Sequence, residues 1–218
     1  MDYDLLWRNR HLLWIGFQYS LKLFGVVIVF GTAIGIIGGV GLLYGNRPLR
    51  VLIRAYVDII RGLPLLVTIF LLYYVPTAYH LNLSGFESIS LSLSLFAGAH
   101  MSETVRGAIG SISKGQTDAA KSIGLTFWPR FFSVLLPQGL PLIIAPWTNL
   151  AVDMFKATSL AILVSQGDFL FSIQKRAIAK GHYLSFYIGG MAVYFIICFV
   201  LSRAGAWLSR RLNVGMAT

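Results

Sequence analysis

Three acid–base pairs carry most of the chain's polar chemistry. They are Asp58 with Arg61, Glu103 with Arg106 and Asp153 with Lys156, each three residues apart with the acid first. On a helix that spacing puts both charges on one face, where they can pair. Each pair falls in or beside a long apolar run, and a lone charge at the centre of a bilayer costs roughly 2.5–3.5 kcal/mol on insertion scales. Arg61 follows Arg50 by about 16 Å of helix, which puts it near mid-membrane and favours a fold-stabilising pair with Asp58. Glu103 and Arg106 lie nearer an interface, where a structural role is at least as natural. Asp153 and Lys156 are followed by two hydroxyls, Thr158 and Ser159. With Arg61, these four are the best candidates for holding a small zwitterion: Lys156 for its carboxylate, Asp153 for its ammonium and the hydroxyls for the remaining hydrogen bonds. The alternative is that Asp153 and Lys156 neutralise only each other.

Other chemistries lack their residues. His11, His80, His100 and His182 are far apart and lack a ligand-type spacing, so no metal site is expected. Cys198 is the only cysteine, and it sits in an apolar run. No nucleophile–base arrangement suggests an enzyme. No GxxxxGK[ST] loop is present, so the chain does not hold ATP in the P-loop way.

The elements that position these residues are membrane helices. Of the 218 residues, 56% are hydrophobic and only 12% charged, against roughly 25% charged in a soluble domain. The expected fold is therefore an all-α polytopic membrane protein forming a single domain over residues 1–218, with its core at about 12–210. Five segments approach the roughly 20 apolar residues a bilayer requires: residues 12–44, 51–74, 89–110, 131–155 and 183–208. The N-terminal stretch is too long for a signal peptide and lacks a cleavage site. Gly31, Gly35 and Gly39 recur every four residues, which permits close helix approach. Pro141 and Pro146 are positioned to interrupt the fourth span.

The formal charge of +10 is dispersed between the apolar runs rather than gathered in a patch, which argues against nucleic acid. Arg47, Arg50 and Arg54 flank the first connection, Arg106, Lys114, Lys121 and Arg130 the third, and Arg203, Arg210 and Arg211 the C-terminus. By the positive-inside rule these are cytoplasmic, leaving the N-terminus outside. Arg8, Arg10, Lys175, Arg176 and Lys180 run against that assignment. Residues 101–130 read as short cytoplasmic helices broken by glycine turns, and residues 168–179 as a short external helix.

Asp118-Ala119-Ala120, Gly124 and Val134-Leu135-Leu136-Pro137 resemble the EAA loop of ABC importer permeases, departing from it at Asp118 for Glu and Val134 for Ile. Glu103, Arg106-Gly107-Ala108-Ile109, Ser111-Ile112 and Gly115-Gln116 are similar to the polar amino acid uptake branch, the histidine/glutamate/arginine type with a MetI-like fold. Arg61-Gly62, Pro64-Leu65, Lys156 and Thr158-Ser159-Leu160 look like that branch too. The resemblance implies a multi-pass inner-membrane permease with cytoplasmic coupling helices (loop at about 107–130). It also implies a second permease subunit, identical or paralogous, two ATPase subunits carrying ATP and Mg, and an external solute-binding protein. In that setting Gln116, Asp118, Ala119, Ala120, Gly124 and Leu125 form the ATPase-coupling element. Ala119 and Ala120 offer a small surface for a partner groove, Asp118 complements the helix dipole, and Gly124 permits a sharp exit. A secondary carrier without an ATPase is the alternative.

Overall fold

The chain was analysed as a computed structural model that describes residues 7–214. The order is α1 (Arg10–Tyr44), α2 (Arg47–Gly62), α3 (Leu65–Ala78), α4 (Gly85–Gly110), α5 (Lys114–Ser122) and α6 (Phe127–Arg130). A π-helical turn (Phe131–Leu135), α7 (Leu136–Ala157), a 3-10 segment (Thr158–Val164), α8 (Phe169–Lys180) and α9 (Tyr183–Val214) follow. Among the described residues, three helices are long and apolar enough to cross a membrane: α1, the continuous run Phe127–Val164, and α9 through Leu212. The pair α2–α3 makes a fourth if its two halves count as one span.

That pair corrects the continuous segment expected at 51–74. The chain bends by 109° between α2 and α3, at Leu63–Pro64. Leu63 is extended (φ −95°, ψ 142°), as a residue before proline prefers, because the ring clashes with a helical neighbour. Pro141 and Pro146 behave oppositely and lie inside an unbroken α7, so the expected interruption does not occur there. The irregularity lies earlier, in the widened turn just before Pro137. Pro137 has no N–H to offer the preceding turn, and a π turn absorbs that mismatch.

Helix α4 is about 39 Å long but serine-rich, and it is the most enclosed element. Ser88, Ser90, Ser92, Ser94 and Ser102 are all buried, and Ser92 and Ser102 donate to the carbonyls of Ser88 and Gly98 at 2.7 and 2.8 Å. Its start is fixed by a capping box between Ser84 and Glu87. The glycine stripe of α1 lies along α4. A methyl group at Gly31 would sit 2.7 Å from the Ala97 side chain, and one at Gly39 would sit 2.5 Å from Val105. At Gly35 it would overlap Met101. Close approach is thus what these glycines provide. Leu23, Val27, Ile69, Ile89, Leu93 and Met154 form one core between α1, α3, α4 and α7, and a second gathers Met101, Val105, Phe131 and Leu135.

Candidate functional site

The charged side chains of α2 and α4 meet around one carboxylate. Glu103 is the hub. Arg106 donates to its Oε2 from Nε at 2.9 Å and from the guanidinium terminus at 2.7 Å. Arg54 donates to the Oε1 at 2.6 Å. The Glu103 side chain is only 15% exposed, so two guanidinium groups compensate its loss of water. Sequence spacing finds the Arg106 contact but not Arg54, which comes from another helix.

Asp58 does not pair with Arg61. It lies 3.7 Å from Arg54, one helical turn earlier, although Arg61 lies in the last turn of the same helix. Arg61 is exposed. His100, half-buried and packed on Phe96 with ring centroids 4.5 Å apart, is a residue that sequence reasoning passed over. Its signal was a lone imidazole among small and apolar α4 residues, set aside for lacking metal-ligand spacing.

The remaining candidates divide. Asp153 and Lys156 pair at 3.2 Å, both exposed. Lys156 and Ser159 line a cleft of about 460 Å³ with Tyr194, Phe195 and Cys198 of α9. The Ser159 hydroxyl donates to the Lys156 carbonyl at 2.8 Å. Thr158 leaves the contact set. It is wholly buried, and its hydroxyl donates to the Phe155 carbonyl at 2.8 Å, holding the passage from α7 into the 3-10 turn.

The loop at 107–130 has a more regular construction than glycine turns imply. Gly107 and Gly110 belong to α4, and Gly115 lies in the first turn of α5. Only Gly124 takes a left-handed conformation, φ +81°, and there it closes α5. The Leu125 N–H donates to the Ala120 carbonyl at 3.0 Å and the Gly124 N–H to the Lys121 carbonyl at 2.9 Å, the paired bonds of a Schellman stop. Asp118 is the fifth residue of α5, too far along to complement its N-terminus. It pairs with Lys121 at 3.5 Å, and Ser113 does the capping. Of the two alanines only Ala119 is exposed, whereas Ala120 is buried. Gln116 reaches Gln138 at 3.4 Å. Ile123 and Trp128, 77% and 62% exposed, extend the surface beside Ala119. Their apolar character is plain in the sequence, but their joint exposure is not.

The segment expected as a helix at 168–179 is α8. Its cap, Asp168, accepts from the N–H groups of Leu170 and Phe171 at 2.9 and 3.0 Å. Burial pushes the Asp168 carboxyl up from 3.8 to about 6.

A family model described as the binding-protein-dependent transport system inner membrane component matches residues 31–214. The chain belongs to that family. The match takes in the Glu103 hub, the α5 loop and the Asp153–Lys156 pair. Among curated relatives, the chain is 36% identical to the L-cystine transport system permease protein TcyB of Bacillus subtilis (strain 168), over 91% of this chain and 85% of that one. It is 30% identical to the probable glutamine ABC transporter permease protein GlnP of the same organism, over 98% and 99% of the two chains. Its fold is that of a solved amino acid ABC transporter chain described as "with histidines", at a TM-score of 0.88 and 24% identity over 97% of this chain and 99% of that one. Membership makes this a multi-pass transport component of the inner membrane.

Proposed function

We propose that this permease carries polar amino acids or close analogues inward, driven by ATP hydrolysed on partner subunits. Five spans serve the pathway: α1, the bent α2–α3 pair, α4, the run from Phe127 to Val164, and α9. The serines of α4 meet other helices rather than lipid, which suits a span too polar to face the bilayer alone. Helix α5 is then the cytoplasmic coupling helix, α8 lies outside, the N-terminus is external and the C-terminus cytoplasmic. Two permease chains, identical or paralogous, flank the route. Two ATPase subunits holding ATP and Mg dock at α5, and a solute-binding protein delivers substrate from outside. Substrate meets Arg61, Asp153, Lys156 and Ser159. Relatives described as cystine, glutamine and glutamate/aspartate permeases support the substrate class.

The observation that carries the coupling role is α5 itself, a nine-residue helix stopped by Gly124 and presenting Ala119 and Ile123 outward beside Trp128. A solvated loop has no reason to expose such apolar side chains together, whereas a helix seated in a partner's groove does, and it can pass on a rigid-body movement. The test is ATP-dependent uptake of labelled amino acids by the reconstituted complex, with Asp118→Lys combined with Gly124→Trp as control. Uptake that requires ATP and is lost in the control supports the reading. Uptake without ATP, or unaffected by the control, makes the chain a secondary carrier.

A further inference from the structure

Helix α1 begins with Arg10, Leu13, Trp14 and Phe17 on one face. Helix α8 repeats the pattern with Phe169, Ile173, Arg176 and Lys180. The two helices run antiparallel. The Ser20 hydroxyl accepts from the Phe169 N–H at 3.1 Å, and Gly16 lies against Ser172, whose hydroxyl a methyl group at Gly16 would overlap. Continued at about 1.5 Å per residue, that register brings the Arg10 end of α1 level with the Arg176–Lys180 end of α8. Between these helices and the start of α9 opens a cavity of about 310 Å³. Leu13 and Phe17, Phe169 and Ile173, and Phe186 and Val193 line it, and the exposed Arg10 completes the lining.

The cavity is apolar within and cationic at one end. Its interior offers water no hydrogen-bond partners. Among the described residues no ion pair engages Arg10, Arg176 or Lys180. Asp168, at the opposite end of α8, is wholly buried and committed to capping that helix. Exposed aromatics gather at the cationic end: Trp7, whose ring lies 4.6 Å from the Arg10 guanidinium, with Trp14 and Tyr183. Such residues mark the headgroup level of a bilayer. The three cations are also among the five that run against the positive-inside assignment, so a cytoplasmic position does not account for them. We propose that this cavity binds one anionic phospholipid, with an acyl chain in the apolar interior and the phosphate among Arg10, Arg176 and Lys180. A guanidinium suits that end because it donates to phosphate oxygens in pairs. The inference goes beyond the importer reading and needs only the membrane setting of the family. Seated there, the lipid ties α8 to the starts of α1 and α9.

Photo-crosslinking tests this. The full chain, purified with the subunits that accompany it, is placed in phosphatidylcholine vesicles. These contain a small fraction of phosphatidylglycerol or phosphatidylcholine carrying a photoactivatable group near the end of one acyl chain. Labelled peptides are mapped by mass spectrometry. Residues 13–17 and 186–193 are expected to take at least tenfold more label from the phosphatidylglycerol probe. Val29 and Phe30, exposed further along α1, are expected to take both probes equally. Arg10→Gln, Arg176→Gln and Lys180→Gln together are expected to bring the cavity label down to the phosphatidylcholine level. Arg10→Gln alone is expected to lower it about fivefold, which serves should the triple variant not assemble. Val193→Phe narrows the cavity and is expected to lower its label severalfold while that at Val29 and Phe30 stays. Equal labelling by the two probes, or a preference that survives loss of the three cations, would overturn the proposal. So would cross-linking of Trp14→Cys to a second permease chain in place of lipid labelling, which makes the cavity an interface between copies. Uptake is read separately: its absence with the label intact removes the importer reading and leaves the lipid site standing.

Discussion

Two polar regions of this permease are built on opposite principles. The hub at Glu103 is closed on itself, its carboxylate gripped by Arg106 and by Arg54 from a different helix. The α5 loop leaves Ile123 and Trp128 uncovered and satisfies its backbone through the Ser113 cap and the Gly124 stop. The hub is a finished structure, and the loop, under the proposed coupling role, is half of an interface. Charges in an apolar setting must find partners within the chain, because burying one unpaired is costly. Apolar groups at an exposed surface can wait for another polypeptide.

The difference sets up a crossover of phenotypes. The largest effect is expected from Ile123→Asp, which puts a charge into the proposed docking surface: ATP-dependent uptake falls at least tenfold, by about 1.4 kcal/mol or more, while the melting temperature of the purified permease stays unchanged. A fall in melting temperature without loss of uptake would place Ile123 in the fold instead. Glu103→Gln is expected to do the reverse, lowering stability by about 1–3 kcal/mol after allowing for the partial exposure of both arginines. Thermal unfolding in detergent reads this, and Glu103→Asp is expected to restore part of the loss.

A smaller, pH-dependent effect is expected at Asp168, which belongs to neither region. Its folded pKa of about 6 is raised above the ordinary 3.8, so the charged form is disfavoured in the fold. Its cost is absent below about pH 4, grows between pH 4 and 6, and is fully present above. That displacement corresponds to about 3 kcal/mol, and loss of the charged cap returns about 1. Asp168→Asn is therefore expected to stabilise the protein at pH 8 by about 2 kcal/mol net, with the advantage vanishing near pH 4. A pH-independent gap between the two proteins would contradict this. The smallest effect is expected from Asp118→Ala: its exposed pair with Lys121 contributes at most about 0.5 kcal/mol, so stability is unchanged within error, and any loss of uptake reports on the partner surface.

What the sequence disclosed follows the range of the forces involved. Helices α1 and α9 were legible because continuous apolarity is a property of each segment alone. The glycine stripe of α1 was legible as a periodicity, although its partner on α4 was not. The break at Leu63–Pro64 was written in a local signal, but the apolar residues on either side outweighed it. Pro141 and Pro146 suggested a break that the packed surroundings of α7 suppress. At the site, the i,i+3 pairs within α4 and α7 were readable, whereas Arg54 with Glu103 joins residues 49 positions apart, which spacing on one helix does not encode. Thr158 looked like a ligand by composition, and only its depth in the fold shows that its hydroxyl is already engaged.

The run from Phe127 to Val164 has a mechanical consequence. It begins at the exit of the loop and carries Asp153 and Lys156 some 38 Å along its length, with no joint sharp enough to divide it. A rod of this kind turns a small tilt at Trp128 into a sideways stroke at Asp153 that grows with the lever arm. The π turn at Phe131–Leu135 sits near the end that the proposed coupling would drive, where a widened coil can take up torsion without shortening the stroke.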